Sequence, residues 1–326
     1  MKKILVTGGA GFIGSNFIRH ILNKYQNYKI VNLDKLTYCG NLDNLKDVVK
    51  NPRYKFVKGD IADAKLVEKL VKNCDIIVNF AAETHVDRSI MDPDSFVKTN
   101  VFGTYVLLET AKKLGVEIFI QISTDEVYGS IREGFFKEED PLRPNSPYSA
   151  TKAAGDLLAR SYFTTYKLPV VITRSSNNFG PYQYPEKVIP LFITNLIQNA
   201  KVPLYADGMN MRDWLFVVDN CEAIDIVMHK ARPGDIYNIG KGSEITNLEL
   251  THAIIDMMGK DKSFIKHVKD RPGHDKRYAL DITKIKSLGW RPRHEFRQAL
   301  CLTVEWYKNN RRWWEKLIRC RKNIKY

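Results

Sequence analysis

Between Gln121 and Lys152 the chain gathers five side chains able to move protons. The run Ser123-Thr124-Asp125-Glu126-Val127-Tyr128-Gly129 supplies a hydroxyl and two carboxylates, and Tyr148-Ser149-Ala150-Thr151-Lys152 supplies a phenol and an amine. Composition predicts a helix over Ala150–Tyr166, and the four-residue spacing sets Tyr148 and Lys152 on one of its faces. An ammonium beside a phenol favours the phenolate, drawing a group that titrates near ~10 towards the range where a general base works. Tyr148 would then accept the proton of an alcohol. A Tyr and a Lys one turn apart are common on any helix, so the surrounding elements must decide whether the pair is chemical.

Ile118-Phe119-Ile120-Gln121-Ile122 is an apolar, β-branched run that reads as a buried strand, which places Ser123–Glu126 at its C-terminal end. Ligands bind at that edge in open parallel sheets. At the start of the chain a strand over Lys3–Thr7 leads through Gly8, Gly9, Gly11 and Gly14 into a helical pattern over Ser15–Tyr25. Glycines at this spacing permit a tight turn, close approach of a pyrophosphate to the backbone and close packing of helix on strand. The pyrophosphate would sit on the helix N-terminus, against Gly8, Gly11, Phe12, Ile13 and Gly14. A second strand, Lys29–Leu33, ends in Asp34, 20 residues beyond Gly14, the position of an acid that reads the ribose hydroxyls of NAD and repels the extra phosphate of NADP. The predicted cofactor is NAD.

Further strands over Tyr54–Val57 and Asp75–Phe80 alternate with helices over Ala64–Asn73 and Ser95–Leu114, and Val170–Arg174 adds another strand. This alternation predicts an α/β fold, a doubly wound parallel sheet of Rossmann type. Asp60 and Ile61 would contact the adenine, with a helix cap an equally good reading of Asp60. Ala81 and Ala82 offer small side chains where the cofactor passes the backbone. Beyond Arg174 shorter elements follow, so the expected division is a dinucleotide-binding domain over 1–175 and a smaller substrate lobe over 176–326. Asp213–Asp219 and Tyr237–Gly240 read as strands returning to the first domain near 213–240. Arg212, Arg271, His274 and Arg277 concentrate positive charge in the second lobe, as recognition of a diphosphate requires.

The 326 residues are 44% hydrophobic and 27% charged, ordinary for a globular protein, and no run approaches the ~18 apolar residues of a membrane helix. Glycines interrupt the apolar start too early for a signal peptide. Five scattered cysteines carry neither disulfide nor metal-ligand spacing, so a reduced, cytoplasmic setting and no metal are expected. A net charge of +14 calls for an anionic partner. Much of the excess lies in Arg311–Lys325, where Glu315 is the sole acid among basic residues interleaved with Trp313, Trp314, Leu317 and Ile318. That segment reads as a docked helix with a solvated basic face. No nucleic-acid motif accompanies the charge, and neither nucleic acid nor membrane is an expected partner.

The glycine turn, Asp34 and the Tyr148/Lys152 pair resemble the extended short-chain dehydrogenase/reductases that act on nucleotide sugars. Thr7–Gly14, His85–Ser89, Ser123–Gly129, Asn177–Gln183, Arg212–Trp214 and Asp270–Asp275 resemble, more narrowly, the dTDP-glucose 4,6-dehydratases, and the likeness runs to about Trp306. Asp125-Glu126 is the discriminating feature. An epimerase needs only the hydroxyl, Tyr and Lys, whereas water loss needs a base at sugar carbon 5 and an acid at the carbon 6 hydroxyl. The resemblance implies Glu126 as that base, Asp125 as that acid, Thr124 on the carbon 4 oxygen, Tyr148 as the base for oxidation, and Lys152 on the nicotinamide ribose. It implies dTDP-glucose as substrate, with His85 on the sugar, Asn178 and Arg212 on the diphosphate, and Lys187, Asn247, Arg271 and Tyr278 on the rest of the nucleotide. It also implies a homodimer formed through Ser95–Leu114 and Ser149–Tyr166. The chain departs from the family's usual residues at Cys39, Thr151, Ser175, Phe179, Ala206 and Asn220, all outside the catalytic set.

Overall fold

The computed structural model describes residues 1–270 and 274–321. Arg271, expected on the nucleotide, lies outside the described residues. Six strands, β1 (Lys2–Thr7), β2 (Tyr28–Asp34), β3 (Tyr54–Lys58), β4 (Ile76–Asn79), β5 (Ile118–Thr124) and β6 (Val170–Ser175), join Ile236–Ile239 in one parallel sheet. From one edge the order is Ile236–Ile239, β6, β5, β4, β1, β2, β3. β1 therefore has β2 on one side and β4 on the other, and the carboxyl ends around this reversal are where a doubly wound sheet binds its ligand.

Helices cover both faces, so the strands are apolar throughout rather than alternating. Ile4 and Val6 pack into a core on one face with Phe17, Ile18 and Ile224, while Leu5 packs on the other with Ile77, Leu107 and Phe119. Every residue of β5 is buried, which fixes the height at which Ser123 and Thr124 emerge at the sheet edge. The helix expected over Ser95–Leu114 is interrupted: Val97–Gly103 winds as a π-type segment between Pro93–Phe96 and Thr104–Leu114. The widened turn aims Asn100 inward, where its side chain accepts from Glu83 N (2.9 Å) and donates to Thr151 Oγ1 (3.0 Å).

The second half builds a three-stranded sheet of Glu244–Thr246, Met211–Phe216 and Asn177–Phe179, and pairs Val202–Tyr205 with Ile265–Val268. Its own core contains Phe192, Trp214, Ile254, Leu300 and Trp314. Of the two segments expected to return to the main sheet, only Ile236–Ile239 does so, beside β6. Asp213–Phe216 instead lies in the small sheet, and Val217 opens a helix running to Lys230. An apolar β-branched run carries the same signal for either sheet, and long-range pairing decided between them. No helix among the described residues is long and apolar enough to cross a membrane.

Candidate active site

A cleft of about 330 Å³ opens at the carboxyl ends of the strands. All twelve residues expected around NAD line it: Gly8, Gly11, Phe12, Ile13, Gly14, Asp34, Asp60, Ile61, Ala81, Ala82, Tyr148 and Lys152. Gly8 has φ +67°, and a Cβ there would stand 2.7 Å from the Ala81 backbone; one on Gly14 would meet Gly8 O at 2.6 Å. These contacts explain why the turn needs glycine. Gly11 caps the helix Phe12–Lys24 with no side-chain bond, leaving the helix's first N–H groups for an anion. The Asp34 carboxylate is buried and already accepts from Ala10 N (2.9 Å) and Leu36 N (2.8 Å). Those two bonds orient it on the cleft wall, with lone pairs left for diol hydroxyls. Glycine cradle, open helix end and oriented acid fit a dinucleotide.

The five proton-moving residues meet on the same wall. Thr124 ends β5 and caps the 3₁₀ turn Asp125–Tyr128, its hydroxyl accepting from Glu126 N at 3.3 Å. Tyr148 and Lys152 lie in the helix Pro147–Tyr166, whose start is fixed by a Ser146/Ser149 capping box with Pro147 at its first position. Lys152 Nζ donates to Ile122 O at 2.6 Å, tying helix to strand. Burial lowers Lys152 to about 8, against the opposing pull of the Asp156 carboxylate. Tyr148 differs from the sequence expectation. Burial, and then the charge of Glu126, push its hydroxyl upward, against hydrogen bonding from Thr84 and Thr124. Helical spacing brought the cation close, but in this structure it is spent on the Ile122 carbonyl and the enclosed site outweighs it. Asp125 is 2% exposed; burial, then the charge of Glu126, hold its carboxyl well above the usual range, and its Oδ2 has no hydrogen-bond partner.

A second cavity, of about 500 Å³, shares Glu126, Tyr148 and Lys187 with the first and is also lined by His85, Arg212 and Asn247. Asn178 lies on the first cavity, and Tyr278 on neither wall: it is buried under the Arg212 guanidinium, 4.4 Å from its ring centroid. Arg212 is 5% exposed and donates to the carbonyls of Met211, Asp275 and Lys276; among the described residues no carboxylate forms an ion pair with it. A buried cation with no ion-pair partner among the described residues suits an anionic ligand. Arg277 is by contrast neutralised by Glu244 at 2.6 Å, and His274 contacts Asp270 at 2.6 Å. His85 takes φ +82°, a strain of about 1–3 kcal/mol for a non-glycine residue at a cavity wall.

Sequence reasoning missed Thr84, which opposes the upward shift of Tyr148, and Asp156, which steadies Lys152 and pairs with Arg174 at 3.0 Å. The available signal for Asp156 was its position one further turn along the Tyr148/Lys152 face. Two of the departures from the family pattern prove to be partners, Ser175 Oγ donating to Asn220 Oδ1 at 2.9 Å. Ala206, where a glycine is more usual, has φ +46°.

Comparison with known proteins agrees with this geometry. The family model described as GDP-mannose 4,6 dehydratase matches residues 5–303. A dTDP-glucose 4,6-dehydratase of Streptomyces niveus is 54% identical over 320 residues, covering 97% of this chain and 95% of the relative. The crystal structure of dTDP-glucose 4,6-dehydratase from Bacillus anthracis in complex with NAD superposes with a TM-score of 0.92 at 51% identity, over 97% of this chain and 100% of that one. UDP-glucose 4-epimerase from Thermus thermophilus, also in complex with NAD, gives 0.88 at 32% identity, over 94% of this chain and 99% of that one. With a match spanning almost the whole sheet and both cavities, the chain belongs to the GDP-mannose 4,6 dehydratase family.

Proposed function

We propose that this chain is an NAD-dependent hydro-lyase, a dTDP-glucose 4,6-dehydratase that converts dTDP-glucose to dTDP-4-keto-6-deoxyglucose and water. The observation that carries the reading is the carboxyl pair directly after Thr124. Asp125 is biased towards its protonated form by burial first and then by the neighbouring charge of Glu126, and Glu126 faces both cavities. Elimination needs one acid and one base, and the pair supplies both. An epimerase, as in the Thermus thermophilus relative, needs neither.

NAD, when bound, would supply the hydride acceptor for oxidation at sugar carbon 4 and the donor for reduction at carbon 6. Gly8, Gly11 and Gly14 would admit its pyrophosphate, Asp34 its adenosine ribose, and Lys152 its nicotinamide ribose. Burial and the Glu126 charge hold Tyr148 protonated, so its base role requires an added positive charge, which a bound oxidised nicotinamide would supply; once ionised, Tyr148 would accept the proton of the carbon 4 hydroxyl while Thr124 hydrogen-bonds that oxygen. The resulting ketone acidifies carbon 5, Glu126 removes that proton, and Asp125 delivers its own to the departing carbon 6 hydroxyl; when the hydride is added at carbon 6, the proton held by Glu126 goes back to carbon 5. Arg212, at the floor of the second cavity, meets the diphosphate, with Asn178 beside it, and His85 meets the sugar. Lys187 precedes the helix Val188–Ile197 with no side-chain cap, which leaves a second helix N-terminus for phosphate oxygens. Asn247 and Arg271 would complete the nucleotide side, while Tyr278, off both cavity walls, supports Arg212 from beneath its guanidinium.

The same proposal divides the chain into a dinucleotide half over 1–175 and a substrate half over 176–326, with Ile236–Ile239 returning to the main sheet. It also places the enzyme in the cytoplasm as a homodimer. Phe102, Tyr105, Leu157 and Tyr166 are 42–55% exposed on the helices expected to meet their copies, an apolar set suited to burial. To test the function, the purified protein is incubated with dTDP-glucose without added NAD, following product mass and the alkali absorbance of a keto sugar. Loss of one water with a keto product is the expected result. Unchanged mass after NAD is added, or conversion of UDP-glucose to UDP-galactose, would overturn it.

A further inference from the structure

The basic C-terminal segment has a role in this structure that its charge does not announce. Helix Arg311–Arg321 docks by its aromatic side: Trp314 is fully buried and donates to Tyr307 O at 2.8 Å, and Tyr307 in turn donates to Gln183 O. Trp313 packs edge-on against Trp306 (5.0 Å) and against Tyr182 (6.0 Å). Tyr182 and Gln183 line the dinucleotide cleft. The indole N–H of Trp313 donates to Asn44 Oδ1 at 2.9 Å; Asn44 is 1% exposed, and its amide donates to Ala10 O, again at 2.9 Å. Ala10 O also accepts from Asn41 N at 3.0 Å, and Ala10 N donates to Asp34 at 2.9 Å. A single residue of the glycine turn is thus clamped on one side by the diol-reading acid and on the other by a relay that ends on the C-terminal helix. The relay also anchors the far end of the segment after β2, of which Lys35, Thr37, Tyr38, Cys39 and Gly40 wall the cleft.

We infer that Trp313 is a positioning residue for the cofactor: acting through Asn44, it holds the Ala10 turn and the segment after β2 closed over bound NAD and so sets how long NAD stays. The inference rests on the NAD reading above. A dehydratase that takes and returns the same hydride gains nothing from releasing its cofactor, so a device for retention fits the proposed cycle.

The test uses the full chain and measures release of bound NAD after dilution, together with kcat and KM. Trp313→Phe keeps the ring packing and removes the N–H. Loss of one neutral hydrogen bond, about 1 kcal/mol, predicts roughly five-fold faster release. With NAD supplied in excess, kcat and the KM for dTDP-glucose should stay at the wild-type values. Asn44→Ala should release NAD at least as fast, and adding Trp313→Phe to it should bring no further increase, because the indole works through Asn44. Wild-type release from Trp313→Phe, whatever its melting temperature, would overturn the inference, as would an additive double variant. If the wild type binds no NAD even when it is supplied, the cofactor reading itself falls and takes the inference with it.

Discussion

Lys152 makes a quantitative claim that can be tested without substrate. Its ammonium is 6% exposed and held against Ile122 O, and burial brings it from 10.5 to about 8 despite Asp156 one turn away. At ~1.36 kcal/mol for each pH unit, keeping the charge costs the folded state about 3 kcal/mol. The sign follows from proton counting. Between about pH 8 and 10.5 the unfolded chain still holds the proton that the fold has released, so folding stability rises with pH across that window. The cost is fully present below about pH 8 and absent above 10.5. Lys152→Met has nearly the same length and no charge, and so lacks this cost at every pH. Urea denaturation of both proteins from about pH 7 upward should show the wild type gaining about 3 kcal/mol relative to the variant as pH approaches 10.5. All titrating groups common to both proteins cancel in that difference, save Asp156, which keeps its ion pair with Arg174 in each. A difference that stays flat with pH would refute the assigned cost. The same proton should appear in catalysis as a fall of kcat/KM above about pH 8.

The other expectations are more direct. Glu126→Gln should lower keto-sugar formation by about 10²–10⁴-fold while a single-turnover experiment still shows reduced cofactor forming; normal turnover would sink the base assignment. Tyr148→Phe should abolish the first oxidation, and rapid growth of reduced-cofactor absorbance in that variant would contradict its role. Asp225, 1% exposed in its side chain, receives His20 (2.8 Å), Lys24 (2.7 Å) and His229 (2.9 Å), pinning the helix Phe12–Lys24 to Val217–Lys230. Asp225→Asn should cost about 1.5–3 kcal/mol, the worth of a charge-assisted hydrogen bond, because the buried carboxylate is what holds half-exposed Lys24 and partly exposed His229. Its own hydrogen bond to Asp225 raises His229, so that part of the stability is complete at acidic pH and fades as pH climbs through the raised value. Denaturation at pH near 6 and near 9 should therefore show the larger loss at the lower pH.

What was legible in the chain was local. Gly8, Gly11, Gly14 and Asp34 act through turn geometry and strand ends, and Tyr148 and Lys152 through helical spacing, so residue type and separation were enough to bring them to one wall. Burial was not legible, because it depends on everything packed around a group. The spacing that joined Lys152 to Tyr148 gave no warning that the site's enclosure would push the phenol upward. Counting arginines likewise could not separate Arg212, which has no carboxylate partner among the described residues, from Arg277, whose charge is answered by Glu244. Contacts such as Trp313 to Asn44 span 269 residues and leave no trace in spacing.

The carboxyl pair shows how little structure is needed to turn a legible motif into chemistry. Two neighbouring acids of similar intrinsic pKa would share a proton indifferently if their surroundings matched. Here the chain leaves β5 at Thr124 in extended geometry and tightens at once into the 3₁₀ turn Asp125–Tyr128. That change of direction sends Asp125 into the protein, with an unpartnered Oδ2, and leaves Glu126 half-buried where both cavities meet. The Thr124 hydroxyl fixes the turn by accepting from Glu126 N and also contacts Asp125 Oδ1 at 3.2 Å. By fixing the turn, this one residue sets the difference in burial on which the proposed division into proton donor and base depends, while its own donation to Asp125 works the other way, favouring the ionised carboxylate. Thr124→Val, nearly isosteric, should impair elimination as well as the carbon 4 oxidation; a variant slowed only in the first oxidation would show that the turn keeps its asymmetry without that hydroxyl.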